Sequence, residues 1–372
     1  MASGDRSVRI SVAVDEGHCV HAHSVWAICA RCVNACPGGA ISLPQGAKAP
    51  VVDEQRCVSC GQCLSACSLG AFSSPEFSER RLLERIEKEG SVRLRCFLPY
   101  GELESLAQDR GSYHVCTCLA ALSPGVLYQI AAGRSCELVT DRCRECVLFA
   151  KVEAGMRRNF EDARALLSDC GRAHHLWESH PLFLPERVDA PGSNEADGDA
   201  TACAPSPNVR AVFHSIFVSV RDNPPVKRKP LPLRALRKHV PEWRASLSEV
   251  WNMTSHANRD GAYLWPVHVV DGDRCRACGM CMQLCPTGTI AHGFSDGRFR
   301  YSFTPGNCAE CGLCFMSCPV AAISRERATN AAPFDEVECF ECEAEPCPRC
   351  GLPNFASRGE PVCRLCQKRL GA

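Results

Sequence analysis

The amino-acid sequence predicts an α+β, multi-domain protein. Two observations predict this class: a cysteine motif recurs four times in two pairs, and the stretch between the pairs alternates strand-like and helix-like segments. A third observation, three C-x2-C pairs close to the C-terminus, predicts a separate small unit there. The repeat therefore organises the chain.

Cysteine accounts for 30 of the 372 residues, a level typical of either a disulfide scaffold or a metal protein. The C-x2-C spacing favours metal, because thiols on one tight turn converge on an ion more readily than they pair with distant cysteines. The polar opening "MASGDRSVRISVAVDEGHC" has no apolar secretory segment. Since persistent thiolates need a reducing compartment, we expect a cytoplasmic protein.

Charge balance and the length of the apolar runs argue against two classes of partner. The 42 basic and 42 acidic side chains balance, which disfavours a nucleic-acid binder. No apolar run reaches the roughly 18 residues that span a bilayer, so we expect no direct membrane insertion.

The repeated motif is C-x2-C-x2-C-x3-C, complete from Cys57, Cys275 and Cys308, and lacking its first cysteine where it continues from Cys29. Three thiolates on such a loop face one cluster. The fourth cysteine begins a helical turn and points to the other cluster of a pair. The small residue and the aliphatic or aromatic residue that follow suit a turn into a short strand.

These segments resemble the bacterial ferredoxins that carry two [4Fe–4S] clusters, over about Cys19–Phe72 and Cys275–Ile323. The resemblance implies ferredoxin-like units at residues 1–78 and 266–330, with four [4Fe–4S] clusters in all. For the second unit it implies two ligand sets: Cys275, Cys278, Cys281 and Cys318, and Cys308, Cys311, Cys314 and Cys285. For the first unit it implies one complete set: Cys57, Cys60, Cys63 and Cys36.

The remaining set of the first unit departs from the pattern. Trp26 stands where its first cysteine is expected, and Ser68 replaces the proline after Cys67. Cys67 would have no cluster to serve if this site were lost, and Cys19 is the one unassigned cysteine upstream. We therefore predict a fourth [4Fe–4S] site formed by Cys19, Cys29, Cys32 and Cys67. The rival interpretation is a three-iron or vacant site near His18, His21 or His23.

Residues 79–185 predict a small parallel α/β domain, because strand and helix patterns alternate. In chain order the segments are "SPEFSERRLLERIEKEG" (helix), "SVRLRCFL" (strand), "YGELESLAQ" (helix), "SYHVCTCL" (strand), "SPGVLYQIAAG" (helix), "CELVTD" (strand) and "ECVLFAKVEAGMRRNFEDARALL" (helix). Pro124 suits a first helical turn, and Gly90 and Gly133 suit helix ends.

Cysteines follow the predicted strands of this domain. Cys96, Cys118, Cys143 and Cys146 lie at strand carboxyl ends, where open α/β sheets bind ligands, with Cys116 as a substitute. The order is similar to the small iron–sulfur (delta) subunit of methyl-viologen-reducing hydrogenases, over roughly Cys96–Cys146. The resemblance implies a further [2Fe–2S] cluster or other metal at these cysteines. The alternative is that they are ordinary thiols with no ligand role. We expect Cys136, Cys170 and Cys203 to be free.

Residues 186–265 predict a linker and a basic segment. "PERVDAPGSNEADGDATACAPSPN" is poor in apolar residues, and "VKRKPLPLRALRKHVPEW" is rich in Lys and Arg. The basic segment is either a solvated face or a strap that docks on an acidic surface.

Residues 331–372 predict a zinc-ribbon-like tail. In "CPRCG…CRLC" two C-x2-C knuckles could offer four thiolates to zinc: Cys347, Cys350, Cys363 and Cys366. So short a tail needs the ion, since structural zinc contributes about 10–16 kcal/mol in small peptides. Cys339 and Cys342 remain unassigned.

The leading functional hypothesis is a multi-cluster electron-transfer protein, the relay subunit of a cytoplasmic oxidoreductase complex. Its partners would be redox proteins, such as a flavin- or metal-containing subunit. The alternative is a redox enzyme with thiol–disulfide or sulfur chemistry at the middle-domain cysteines. No G-x-G-x-x-G or phosphate-binding loop supports a nucleotide cofactor in this chain.

Overall fold

The computed structural model describes residues 10–24, 27–96, 114–183, 238–254, 263–330, 332–355, 359, 361–363 and 366–367. Helices and strands are mixed over several small sheets, as expected for an α+β protein. None of the helices in this described part has both the length and the apolar character needed to cross a membrane.

The first cysteine-rich unit is built from very short elements. They are β1 (Ala13–Val14), α1 (Val20–His23), α2 (Arg31–Ala35), β2 (Ile41–Ser42), β3 (Val51–Val52), α3 (Gln62–Ala66) and β4 (Phe72–Ser73). β1 pairs with β4 and β2 with β3, both antiparallel. Cys36 and Cys67 end α2 and α3, and a strand starts at the Ile41 or Phe72 that closes each motif.

The middle domain contains a four-stranded parallel sheet. Its elements are α4 (Glu79–Ile86), β5 (Ser91–Cys96), β6 (His114–Cys116), α5 (Pro124–Gly133), β7 (Ser135–Val139), α6 (Phe149–Ser168) and β8 (Leu176–Glu178). The strand order is β6-β5-β7-β8. Ser78 and Ser123 cap α4 and α5 by accepting backbone N–H bonds from Arg81 and Val126.

The second cysteine-rich unit has longer strands. Its elements, with those of the tail, are α7 (Glu242–Met253), β9 (Trp265–Val270), α8 (Met280–Leu284), β10 (Ile290–Ser295), β11 (Arg298–Phe303), α9 (Leu313–Ser317), β12 (Ile323–Ala328), β13 (Val337–Glu343), β14 (Glu345–Pro346) and β15 (Pro353–Asn354). β9 pairs with β12, β11 lies between β10 and β13, and β14 pairs with β15.

Three elements differ from the sequence-based expectations. β8 adds a strand to the sheet. α7 lies in the segment interpreted as a linker and basic segment. The ring centroids of Trp251 and Tyr128 are 5.7 Å apart, and this contact holds α7 against α5. β13 pairs with β11, although its residues fall in the predicted tail. The domain boundaries stay predictions, and the helix "YGELESLAQ" and most of the linker lie outside the described residues.

The hydrophobic core of the middle domain gives a test of the packing. Leu82 is 0 % exposed on the inner face of α4, whereas its neighbour Leu83 is partly exposed. We expect Leu82→Ala to lower the free energy of unfolding by about 2–5 kcal/mol, because it leaves a cavity, and Leu83→Ala by clearly less. Urea unfolding followed by circular dichroism measures both, and equal losses would contradict this orientation of α4.

Candidate iron–sulfur and metal sites

Four groups of cysteines each line one cavity, and each group corresponds to a ligand set predicted from the sequence. They are Cys19, Cys29, Cys32 and Cys67 (site A), Cys36, Cys57, Cys60 and Cys63 (site B), Cys285, Cys308, Cys311 and Cys314 (site C), and Cys275, Cys278, Cys281 and Cys318 (site D). The cavities hold about 500, 340, 350 and 360 Å³, respectively.

Backbone in the left-handed region forms the three complete motif loops. Ser59, Ala277 and Glu310 have φ of 56°, 47° and 52°. The glycine two residues further on also has positive φ and starts the following helix: Gly61, Gly279 and Gly312. Two such residues in one loop curl the chain around a centre, and glycine adopts this conformation at least cost.

The loop before Cys32 is built differently. Ala30, which corresponds to Gly61, has φ of −131°. Cys19 reaches site A from between the short helix Glu16–His18 and α1, where it is buried. The longer loop therefore brings a fourth sulfur to the set.

The thiols of site A affect one another electrostatically. Burial, with the charges of Cys67 and Cys29, raises the pKa of Cys19. Burial and the same two neighbours raise the pKa of Cys32 to about 12. Thiolates so close together need positive charge between them, which iron would supply. His21 also lines this cavity, but its Nε2 lies 2.7 Å from the carbonyl oxygen of Cys29.

Backbone amides donate to the fourth sulfur of three motifs. The amides of Ala40, Ala71 and Ala322 lie 3.2, 3.3 and 3.2 Å from the sulfurs of Cys36, Cys67 and Cys318. Each donor is four residues after its cysteine. Amide donors stabilise sulfur that carries negative charge. The donor sets and these amides thus fit [4Fe–4S] clusters at sites A, B and D, and site C offers the same set of four cysteines.

Sites A and C lie next to each other. Cys311 of site C also lines the cavity of site A, and its pKa is raised partly by Cys29. The carbonyl oxygen of Ala309 accepts from Ser68 Oγ at 2.6 Å and from Arg31 Nη1 at 3.2 Å. The two cysteine-rich units therefore meet at these two sites.

Residues 238–241, called the clamp below, reinforce this junction. The ring of His239 stacks on that of His18 with centroids 3.8 Å apart. The backbone amide of His239 donates to the carbonyl oxygen of Pro286 at 2.8 Å, and Pro241 lies against Gly70. The clamp thus contacts both units at once.

Site B borders the middle domain. Thr117 Oγ1 donates to the carbonyl oxygen of Cys60 at 3.2 Å, and Cys60 and Cys118 share one hydrophobic core. The charge of Cys118 contributes to the raised pKa of Cys60. The middle-domain thiols therefore lie next to site B.

The predicted middle-domain cysteines are partly brought together. Hydrogen bonding between the Cys96 and Cys118 side chains lowers the pKa of Cys118, and Cys96 Sγ also donates to the carbonyl oxygen of Thr117 at 3.1 Å. Burial, then the charges of Cys118 and Cys146, raise the pKa of Cys143 to about 12. Nothing is described for the Cys116 side chain or for Cys203, which lie outside the described side chains. Cys136 and Cys170 are buried and line none of the four cavities.

The tail brings four sulfurs much closer together. Those of Cys347, Cys350, Cys363 and Cys366 all lie within 4.8 Å of one another, the one such group found in the part of the chain that the structure describes. Four thiolates on one zinc ion are about 3.8 Å apart, given Zn–S bonds of about 2.3 Å. The amide of Cys363 donates to the sulfur of Cys347 at 3.3 Å. The group fits a single metal ion.

Cys339 and Cys342 lie on β13 rather than in this group. The register between β11 and β13 shifts at Tyr301/Ser302, which leaves Cys339 without a partner residue opposite it. Such a bulge turns an extra side chain toward the face of its neighbour. Cys339, Phe340 and Cys342 all pack on the core around sites C and D. Sequence spacing alone gives no sign of the bulge.

Comparison with known proteins identifies both cysteine-rich units. A family described as "4Fe-4S dicluster domain" matches residues 27–71 and 274–322. The search of curated proteins finds no match to the chain. The two matched segments are ferredoxin-like units, and the protein is an iron–sulfur protein of the electron-transfer type. Cys19 lies before the matched residues, so its assignment as a ligand rests on its position at site A.

Removal of Cys19 tests site A. We expect Cys19→Ala to lower iron from about 16 to about 12 atoms per chain, because three thiolates would hold the cluster poorly. Iron and sulfide analysis of anaerobically purified protein measures the loss. Cys170→Ala, which removes a buried cysteine outside the four cavities, should leave iron unchanged. Full iron content in Cys19→Ala would show that Cys19 is not a ligand.

The tail can be tested independently of iron. We expect Cys363→Ser to lose one bound zinc ion per chain with iron retained, because three thiolates and a hydroxyl bind zinc more weakly. Cys339→Ser is the matched control and should keep the metal. Elemental analysis distinguishes the outcomes, and zinc retained in Cys363→Ser would argue against this site.

Proposed function

We propose that the protein is the electron-relay subunit of a cytoplasmic oxidoreductase complex. Its four [4Fe–4S] clusters would form one conduit in the order D, C, A, B and end at the thiols of the middle domain. Each cluster accepts and releases one electron when bound, and the chain holds, spaces and tunes the clusters. Redox proteins, such as a flavin- or metal-containing subunit, would exchange electrons at the two ends.

The junction between sites A and C carries this proposal. Two separate ferredoxin-like units could serve unrelated partners. Here Cys29 is close enough to contribute to the raised pKa of Cys311, and Ser68 and Arg31 bind the loop that carries Cys308 and Cys311. A tunnelling electron needs a short gap, and this contact supports one continuous path rather than two.

The end of the path at site B has features of an exchange surface. Cys143 and Cys146 are only partly buried, and Val147 beside them is 91 % exposed. Partly exposed thiols at this end of the path could exchange electrons with a protein partner. The middle-domain thiols could themselves hold a [2Fe–2S] cluster or other metal, as the resemblance to the hydrogenase delta subunit implies.

Thiol chemistry at the middle domain is the second candidate. It is favoured by the hydrogen bonding between Cys96 and Cys118, which lowers the pKa of Cys118 and so favours its thiolate form. Such a thiolate could take part in disulfide or sulfur reduction, with electrons supplied through site B.

Reductive titration with a turnover assay tests the two functions. A relay predicts about 16 irons, one zinc and four one-electron reductions per chain, with no turnover of disulfide or sulfur substrates by reduced dye. About 18 irons would add a binuclear cluster in the middle domain. Turnover that Cys118→Ala abolishes, while Cys136→Ala retains it, would favour the enzyme. Twelve irons or fewer would rule out the four-cluster relay.

A further inference from the structure

The same turn leads into the cluster loops of sites B and D. In each turn an aspartate follows a strand, and its carbonyl oxygen accepts from the amide of the first cysteine of the loop. Asp53 accepts from Cys57 at 3.0 Å, and Asp271 accepts from Cys275 at 2.9 Å. The Oδ1 atom of each aspartate also accepts from two amides within the turn, at 2.9 and 3.3 Å in the first unit and at 3.0 and 3.2 Å in the second. The two turns therefore share one set of hydrogen bonds.

The residue after the aspartate differs between the two turns. It is Glu54 in the first unit, where it is exposed, and Gly272 in the second. A Cβ atom at Gly272 would lie 2.5 Å from Cε2 of Phe340, which is closer than real side chains approach. The φ of Gly272 lies outside the left-handed region, so the glycine is needed for space and not for backbone conformation. Gly272 therefore makes room for the ring of Phe340.

Phe340 belongs to β13, which covers the loop of site D. It lies opposite Tyr301 of β11 in the sheet. Phe340 and Cys342 pack on the hydrophobic core against which Cys275, a predicted ligand of site D, also packs. β13 lies beyond the matched residues 274–322, so this cover is not part of the dicluster motif.

The metal group of the tail follows β13 directly. The amide of Ala344 donates to the carbonyl oxygen of Gly297 at 2.9 Å, and Cys347 comes three residues later. Phe355 lies between the two cysteine pairs of this group, is 1 % exposed, and has its ring centroid 6.1 Å from that of Phe299 on β11. An ion that joins the two cysteine pairs would close the chain around Phe355 and fix the tail on the second unit.

We infer that the tail, from β13 to its metal group, is a brace for the cluster at site D. Phe340 covers the loop that carries Cys275 and keeps solvent from it, and the zinc ion holds the tail in place. Gly272 and Phe340 are positioning residues, which act on the cluster through this loop. The inference rests on the proposed clusters and goes beyond the relay, because it makes retention of one cluster depend on a different metal.

Release of iron tests the inference. Anaerobically purified full-length protein is exposed to air with a ferrous-iron chelator, and the absorbance of the chelate is followed. We expect Gly272→Ala to release about four of about 16 irons several-fold faster than the wild-type protein, because the added methyl group displaces Phe340. Phe340→Ala, which uncovers the loop, should do the same. The matched control Glu54→Ala, at the equivalent position of the site B turn, should release iron at the wild-type rate.

Two further variants test the zinc and the identity of the cluster. Cys363→Ser, without zinc, should release about four irons faster in air although it keeps them under anaerobic purification. Cys278→Ala should lack the cluster at site D and begin with about 12 irons, so that adding Gly272→Ala leaves its rate unchanged. A wild-type rate in Phe340→Ala or in Cys363→Ser contradicts the inference, as does a fast phase that persists in the double variant. About 12 irons or fewer in the wild-type protein would instead overturn the proposed function.

Discussion

Burial of thiolate groups is the constraint on which the rest of the structure depends. Many of the cluster cysteines are buried or nearly so, and for most of those with shifted values burial is the main cause of the raised pKa. Charged sulfur in such surroundings is stable only next to positive charge, which iron provides. Two-residue strands and five-residue helices cannot fold alone. The clusters therefore have to be counted as part of the core.

The two ferredoxin-like units solve this problem differently. The first has two-residue strands and packs against the middle domain, because Cys60 shares a hydrophobic core with the parallel sheet. The second has six- and seven-residue strands that carry aromatic and histidine side chains over its sites. The same cysteine spacing thus supports a sparsely surrounded unit and a richly hydrogen-bonded one. The reduction potentials of their clusters should therefore differ although their cysteine ligands do not.

Cysteine spacing was sufficient to predict the local structure of the units but not their contacts. The motifs predicted the strands that start at Ile41, Phe72, Ile290 and Ile323, because these depend on neighbours in the chain. They did not indicate Cys19, which lies outside the repeat and was chosen as the one unassigned cysteine upstream. The bulge at Cys339 depends on pairing between β11 and β13. α7 was missed because its inward face is recognised only once Tyr128 is there to receive Trp251. His292 on β10 and His268 on β9 have Nε2 atoms 3.5 and 3.9 Å from the sulfurs of Cys281 and Cys314, which lie on short helices, so no local pattern could have indicated these contacts.

The clamp makes the spacing between the two cysteine-rich units independent of the length of chain that precedes it. A spacing set by chain length alone would change with every residue gained or lost before Lys238. The spacing between the units depends instead on the contacts of His239 and Pro241, which are fixed by stacking and by a close approach to Gly70. Residues gained or lost before the clamp would therefore leave the spacing between sites A and C unchanged.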